Sequence, residues 1–259
     1  LPNPLPLRER EALVHMLQQF AFVAPRVVLV FAAVVFPVLF FISAPYGRHA
    51  RPGFGPTMPA KLAWQVMESV SFFLFAALWI LNPQWLAPVV MVLGLAWLVH
   101  YAQRTFVFSF LMRDERKRKP LLTVVMAIVF NVLNAVGNAV ALTSRPIDLA
   151  LVLGLSLFVA GMGINLHADH VLRTLRRPGE TGYSVPNGGL YRWVSSPNYL
   201  GEILEWVGFA LAAQTLAGWA FAAFTVANLA PRALSNHRWY REKFADYPAA
   251  RRALIPFVW

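Results

Sequence analysis

The chain has 259 residues, of which 58% are apolar and 14% charged, and it contains no cysteine. A soluble domain runs nearer half apolar and a quarter charged, so these proportions indicate a polytopic membrane protein and exclude a disordered chain, a collagen-like fibre and a disulfide scaffold. The absence of thiols excludes a cysteine nucleophile, an iron–sulfur cluster and a thiolate zinc site, and the formal charge of +11 is explained first by basic residues bordering apolar segments, not by nucleic-acid binding.

A transmembrane helix needs roughly 20 mostly apolar residues. Seven stretches qualify in chain order, near Val23–Ile42, Leu62–Leu81, Trp85–Leu111, Leu121–Thr143, Ile147–His170, Tyr199–Ala217 and Gly218–Leu234. They predict an all-α integral membrane protein, a single seven-helix domain over residues 1–259. The start, Leu1-Pro-Asn-Pro, lacks a basic n-region, and the first span is too long and Pro-containing for a signal peptide.

Lys and Arg set the expected orientation, because cytoplasmic connections carry their excess. The first, third and fifth connections and the C-terminal tail hold 18 of the 23 basic residues, whereas the second, fourth and sixth connections hold only Arg145. The N-terminus is therefore expected outside and the C-terminus in the cytoplasm, with cytoplasmic loops at 113–120 and 171–198 and a tail at 235–259. At about 1.5 Å of rise per residue, Glu68, Tyr101, Arg104, Asn165, Glu202 and Glu205 converge roughly 5–15 Å from the cytoplasmic ends of their spans. Ionisable groups at that depth face a bundle interior or a wet cavity, so one cytoplasm-facing pocket is expected.

Glu68 is the one charge of the second span; buried and neutral, such a carboxyl can donate a hydrogen bond to a substrate oxygen. A structural partnership with Arg104 is its other reading. The third span ends in a polar run, His100-Tyr101-Ala-Gln-Arg104-Thr105, where Tyr101 can serve as an acid or oxyanion donor or simply belong to an interfacial belt. Asn165, Asp169, Arg173 and Arg176 follow helical spacing of 4, 4 and 3 and form one stripe. Amide, carboxylate and guanidinium in that order suit ribose hydroxyls and phosphates, although a solvated positive face would also account for them. Gly161-Met-Gly163 is no dinucleotide fingerprint, since a third Gly and a surrounding strand–helix unit are lacking.

A Gly-, Pro- and Tyr-containing loop, Thr181–Ser196, leads into Pro197-Asn198-Tyr199-Leu-Gly201-Glu202-Ile-Leu-Glu205. Glu202 and Glu205 share a helical face, but the histidines lack a metalloprotease spacing, so no metal is expected. Asn131, Asn134 and Asn138 suit interhelical hydrogen bonding. Arg232, Asn236 and Tyr240 fall on one face beside His237 and Arg238, at the cytoplasmic mouth, where an interfacial anchor is their other reading.

Four blocks of this sequence, His100–Ser109, Leu155–Glu180, Tyr183–Trp206 and Arg232–Trp259, resemble the membrane steroid 5α-reductase (3-oxo-5-alpha-steroid 4-dehydrogenase) family, the animal type 2 isoenzyme closely. The first sixty residues add nothing to this resemblance. It implies NADPH-dependent reduction of the 4,5 double bond of a 3-oxo-4-ene steroid, with Glu68 and Tyr101 binding the 3-keto oxygen. It carries cofactor contacts over to Asn165, Asp169, Arg176, Tyr183, Asn198, Glu202, Arg232, Asn236 and Tyr240. Two departures stand out. Met112–Lys119 replaces the family's Asn and Arg after the third span, and Asn236-His237 replaces a His run, which leaves His237 without a role. The expected partners are an apolar steroid and the bilayer, with a monomeric chain in a bacterial inner membrane or the endoplasmic reticulum. Related enoyl or polyprenol reductases, an isoprenylcysteine-methyltransferase-like enzyme and a non-enzymatic receptor or transporter are the rival classes.

Overall fold

The computed structural model describes residues 7–45, 47–49, 51, 53–112, 117–175 and 182–259. Helices dominate: α1 (Leu7–Phe41), α2 (Ala60–Leu81), α3 (Pro88–Ala102), the short α4 (Ser109–Leu111), α5 (Leu121–Ala141), α6 (Leu149–Thr174), α7 (Pro197–Ala213) and α8 (Leu216–Lys243). Two three-residue strands, β1 (Thr57–Pro59) and β2 (Arg118–Pro120), pair antiparallel with Met58 opposite Lys119. This ribbon ties together the starts of α2 and α5, each entered directly from a proline, Pro59 and Pro120.

Among the described residues, five helical stretches are long and apolar enough to cross a membrane: His15–Phe41, Ala60–Leu81, Pro88–Leu111, Leu121–Ala141 and Leu149–Thr174. The sixth and seventh expected spans, which became α7 and the first part of α8, are not among them. The all-α membrane class therefore stands. Several boundaries move for physical reasons. The first helix begins at Leu7, before the apolar run, and keeps a charged first turn containing Glu9. The last runs to Lys243, so the segment after Leu234, expected as a tail, begins as a continuation of α8. The third stretch is not uniform, because Gln103–Phe108 forms a π-helical turn between α3 and α4. The wider turn changes the phase of the helix, a local device often found at functional sites, and it buries Arg104 and Thr105.

Caps fix the non-membrane ends. Asp148 accepts the Leu151 N–H at 2.8 Å to open α6, and Thr215 accepts the Gly218 N–H at 3.0 Å to open α8. Gln214 closes α7 in the left-handed region at φ 54°, and its side chain donates to Asp148 at 2.8 Å.

Four glycines set the spacing of α6 and α7. A Cβ on Gly154, Gly161, Gly201 or Gly208 would meet backbone of the facing helix at 2.4–2.5 Å, so the two helices touch backbone to backbone, the small-residue packing membrane helices favour. Between this pair and α2–α3 lies an aromatic core. Trp97 stacks on Phe75 at 4.6 Å, and Trp206 lies 4.2 Å from Phe221 and 5.3 Å from Trp97. The asparagine stripe of α5 binds across helices, as its spacing implied: Asn131 donates to the Met67 carbonyl at 2.7 Å.

Candidate functional site

One cavity of about 1780 Å³ is lined by residues of α1, α2, α3, α5, α6, α7 and α8. Its apolar part is walled by Val34 and Val38 of α1, Phe130 of α5 and Phe221 and Phe224 of α8. Its polar part collects nearly every residue singled out in the sequence: Glu68 and Tyr101 from α2 and α3, Asn165 and Asp169 from α6, Asn198 and Glu202 from α7, Arg232, Asn236 and Tyr240 from α8, and Tyr183 from the preceding loop. Arg176 lies outside the described residues.

Tyr101 in the cavity lining is only 3% exposed. Its ring packs 5.0 Å from Trp97 and 5.9 Å from Trp206, and the Glu68 carboxyl lies within electrostatic reach of it. Glu68 in turn is within electrostatic reach of Arg104, His100, Glu202 and Lys119. The proposed partnership of Glu68 with Arg104 is not a direct contact: the nearest carboxylate to Arg104 is Asp169, at 3.7 Å. The guanidinium lies 4.6 Å from the Trp64 ring centroid and 4.5 Å from that of Phe108, distances that suit a cation held against aromatic rings.

A chain of amides and carboxylates also lines the cavity. Asn165 donates to the Asn198 carbonyl at 2.9 Å, and Asn198 donates to Asp169 at 3.1 Å. The close α6–α7 approach brings them together, since Gly161 and Gly201 lie one helical turn away from Asn165 and Glu205. Arg232 donates to the Tyr199 hydroxyl at 3.1 Å. Asn236 donates to Ser196 Oγ at 3.3 Å and shares a 3.1 Å hydrogen bond with His49 Nε2.

Sequence reasoning missed His49, Arg48 and Lys119. The short turn Gly47–His49 carries His49 and Arg48 into the cavity wall. The Arg48 guanidinium sits 4.6 Å from the Tyr240 ring and 5.2 Å from the Trp239 ring, and its buried Nη1 closes no hydrogen bond among the described residues. Burial lowers His49 from the ordinary histidine value, against the pull of its Asn236 bond. Lys119, brought in by β2, places Nζ 4.3 Å over the Trp64 ring. Burial pushes its ammonium down to about 7, opposed mainly by the Glu68 carboxyl. The only available signal was the basic run of the connecting loops, which the topology rule had already absorbed.

His237 acquires a role away from the cavity. Ser195 Oγ meets His237 Nδ1 at 2.6 Å and Tyr247 OH at 2.7 Å, while the Ser195 N–H donates to the Arg252 carbonyl at 2.9 Å. The histidine thus clamps the C-terminal segment onto the loop before α7, and burial lowers its pKa, reinforced by Arg241 and Arg252.

Residues 117–259 match the sequence model of the family described as 3-oxo-5-alpha-steroid 4-dehydrogenase. The chain belongs to this family. It is 41% identical over 239 residues to 3-oxo-5-alpha-steroid 4-dehydrogenase 1 of Bos taurus, covering 87% of this chain and 91% of that one. It is 40% identical over 237 residues to steroid 5-alpha-reductase DET2 of Gossypium hirsutum, covering 85% and 90%. It is 40% identical over 229 residues to 3-oxo-5-alpha-steroid 4-dehydrogenase 2 of Macaca fascicularis, covering 82% and 87%. Both animal isoenzyme types and a plant enzyme match almost equally, so the resemblance to type 2 in particular reduces to the family. The matched segment contains Asn165, Asp169, Asn198, Glu202, Arg232, Asn236 and Tyr240, while Glu68 and Tyr101 precede it.

Proposed function

We propose that the chain is an NADPH-dependent steroid 5α-reductase, an oxidoreductase acting on the CH–CH bond at the 4,5 position of a 3-oxo-4-ene steroid. The observation that carries this reading is the presence, in the lining of one cavity, of apolar side chains from α1, α5 and α8 together with amides, carboxylates and arginines, with Glu68 and Tyr101 lining it as well. A rigid apolar ring system with one polar end suits the first, and a dinucleotide suits the second.

The donor set fits NADPH. Asn165, Asp169, Asn198 and Glu202 offer acceptors and donors to ribose hydroxyls, Tyr183 and Tyr240 offer aromatic faces, and Arg232 offers its guanidinium to phosphate. The unsatisfied Nη1 of Arg48 is what a cavity prepared for an anion would contain, since a buried donor without a partner is costly. Arg176, from its place on the stripe, is assigned to the 2′-phosphate that separates NADPH from NADH. Asn236 holds His49 and the entrance of the pocket.

When bound, NADPH supplies a hydride to the β-carbon of the enone. The chain's own residues manage the charge that follows. Tyr101 and Glu68 donate hydrogen bonds to the 3-keto oxygen and stabilise the enolate as it forms, the arrangement of an oxyanion hole. Trp97, Trp206 and Phe221 exclude water, so those bonds act in a low dielectric.

In the membrane, α7 and α8 complete a seven-span bundle with the N-terminus outside and the C-terminus cytoplasmic. That orientation places the basic loops and the cofactor compartment on one side. The chain works as a single domain and as a monomer.

Incubation of the purified protein with testosterone or progesterone and NADPH, followed by mass spectrometry, should yield the product carrying two added hydrogens, chromatographically identical to the 5α isomer. A protein that binds S-adenosylmethionine and leaves the steroid unreduced would overturn the reading in favour of a methyltransferase.

A further inference from the structure

His100 immediately precedes Tyr101, and both side chains line the cavity. Its Nδ1 lies 2.7 Å from Glu205 Oε1, with the imidazole side chain 7% exposed and the carboxylate 1%. Glu205 itself does not line the cavity. With Nδ1 committed, Nε2 is the ring nitrogen offered to the cavity, and among the described residues it makes no hydrogen bond. The ring is held edge-on to Trp206 at 4.6 Å and to Tyr101 at 5.0 Å. It is therefore fixed in orientation by a hydrogen bond on one side and two aromatic walls on the other.

Burying a carboxylate and an imidazole together is costly, and an apolar pair of equal volume generally serves packing as well or better. A carboxylate bound to one imidazole nitrogen has a second consequence. It fixes the ring and balances the charge of the imidazolium, while the opposite nitrogen acts on a reactant. The reduction proposed above needs such a group. Hydride addition leaves an enolate whose α-carbon must gain a proton, two bonds from the oxygen that Tyr101 and Glu68 hold. Tyr101 faces that oxygen, and the aromatic wall keeps bulk water from the carbon.

We propose that His100 is the acid that protonates the α-carbon, with Glu205 as its positioning residue. This inference rests on the reductase reading. The β-carbon has received the hydride, and the enolate π electrons form a new C–H bond at the α-carbon with the proton of His100 Nε2. The N–H bond breaks, its electron pair stays on nitrogen, and the 3-keto group re-forms. The neutral imidazole regains its proton from water in the polar compartment. The charged groups that face this exchange are Glu205 and Glu202 from α7, Glu68 from α2 and Arg104 from the π-helical turn. Tyr101 hydrogen-bonds the oxygen throughout and need not lose its proton.

The test compares wild type, His100→Ala, His100→Gln and Glu205→Gln in detergent, with NADPH binding followed by tryptophan fluorescence and turnover of testosterone followed in H2O and D2O. General acid catalysis contributes roughly 10²–10⁴-fold. Both His100 variants should lose turnover by about that factor, show a larger solvent isotope effect as proton transfer becomes limiting, and bind NADPH as wild type does. Imidazole added to His100→Ala should restore part of the turnover, a response that a purely structural role would not give. His100→Gln fills the same space and can still bond Glu205, so it reports on chemistry even if the alanine variant fails to fold. Glu205→Gln should lower kcat, leave KM unchanged and shift the pH–rate profile. Wild-type turnover and an unaltered isotope effect in either His100 variant would overturn the assignment, as would loss of NADPH binding in His100→Gln. If wild type binds NADPH but leaves the steroid unreduced, the reductase reading itself fails, and this inference with it.

Discussion

Gly161 of α6 and Gly201 of α7 form each other's cradle: a Cβ on either would stand 2.6 Å from the other's carbonyl oxygen. Neither obstacle is the end of a flexible side chain, so an added methyl group can be accommodated only by parting the helices. The consequence reaches the site, because Asn165 follows Gly161 by one turn and Glu205 follows Gly201 by one turn. Gly161→Ala should cost about 1–3 kcal/mol, the range for overpacking a filled contact, read as a lowered thermal midpoint in detergent. NADPH affinity should fall with it, because the Asn165–Asn198–Asp169 chain depends on the same approach. Gly163→Ala is the internal control, since nothing lies within 4 Å of its added Cβ.

That pair also shows where sequence reading stops. Glycine spacing on α6 was visible, but its meaning lay in matching glycines on α7, a relation between two faces that no single periodicity displays. The first five spans were legible because their apolar runs are long, whereas α7 is short and α8 carries polar residues along its second half, so their expected spans did not stand out in the same way. The start of α1 was not, because Arg8, Glu9, Arg10 and Glu11 look like the end of a membrane segment when they are its polar extension. Glu68, Tyr101, Asn165 and Asp169 stood out because polar side chains in apolar helices are costly and few. Arg48 and His49 sit in a short irregular turn among basic residues that already had a topological explanation, so nothing marked them as lining a pocket.

Arg48 should bind the anionic part of the cofactor. Its Nη1 is buried without a partner among the described residues, while its guanidinium is positioned by Tyr240 and Trp239. A hydrogen bond to a charged group is worth about 1.5–3 kcal/mol. Arg48→Ala should therefore weaken NADPH by about ten- to a hundredfold in a fluorescence titration, with little change in the thermal midpoint without cofactor. Unchanged affinity would assign Arg48 to packing alone.

Asp148 gives a pH dependence whose sign follows from its bonds. The Leu151 N–H, then Arg145 and Gln214, pull its carboxyl down to about 2. A folded value below the ordinary aspartate value means that the contribution is complete above that ordinary value and is lost as pH falls through about 2. Asp148→Asn keeps an oxygen for the cap and removes the charge. Its thermal midpoint should lie slightly below wild type near pH 6, since the group is exposed and screened, and the two should converge near pH 2. A gap that persists at low pH would trace the effect to shape, not charge.

Topology can be tested without activity. Eighteen of the 23 basic residues fall in connections expected on the cytoplasmic side. A reporter after Trp259 should read cytoplasmic, and one inserted between Pro83 and Gln84 should read external. A cytoplasmic signal at Pro83–Gln84 would reverse the bundle and place the basic connections on the wrong side for a cytosolic cofactor.

Glu68 and Tyr101 carry the most demanding expectation. Tyr101 is buried against Trp97 and Trp206, within electrostatic reach of the Glu68 carboxyl, and both line the cavity, where they are proposed to hold the enolate oxygen. Removal of one oxyanion donor typically costs roughly 10²–10³ in turnover, about 3–4 kcal/mol. Glu68→Ala and Tyr101→Phe should each slow enone reduction by about that factor. NADPH affinity should stay near wild type, because none of the proposed nucleotide contacts comes from α2 or α3. Glu68→Gln separates two roles. An amide still donates a hydrogen bond but passes on no proton, so retention of most of the activity marks Glu68 as a neutral donor, whereas behaviour like Glu68→Ala marks it as a proton relay. Near wild-type turnover in both Glu68→Ala and Tyr101→Phe would remove these two residues from the chemistry and leave Arg104, buried in the same wall, as the group to test for binding the keto oxygen.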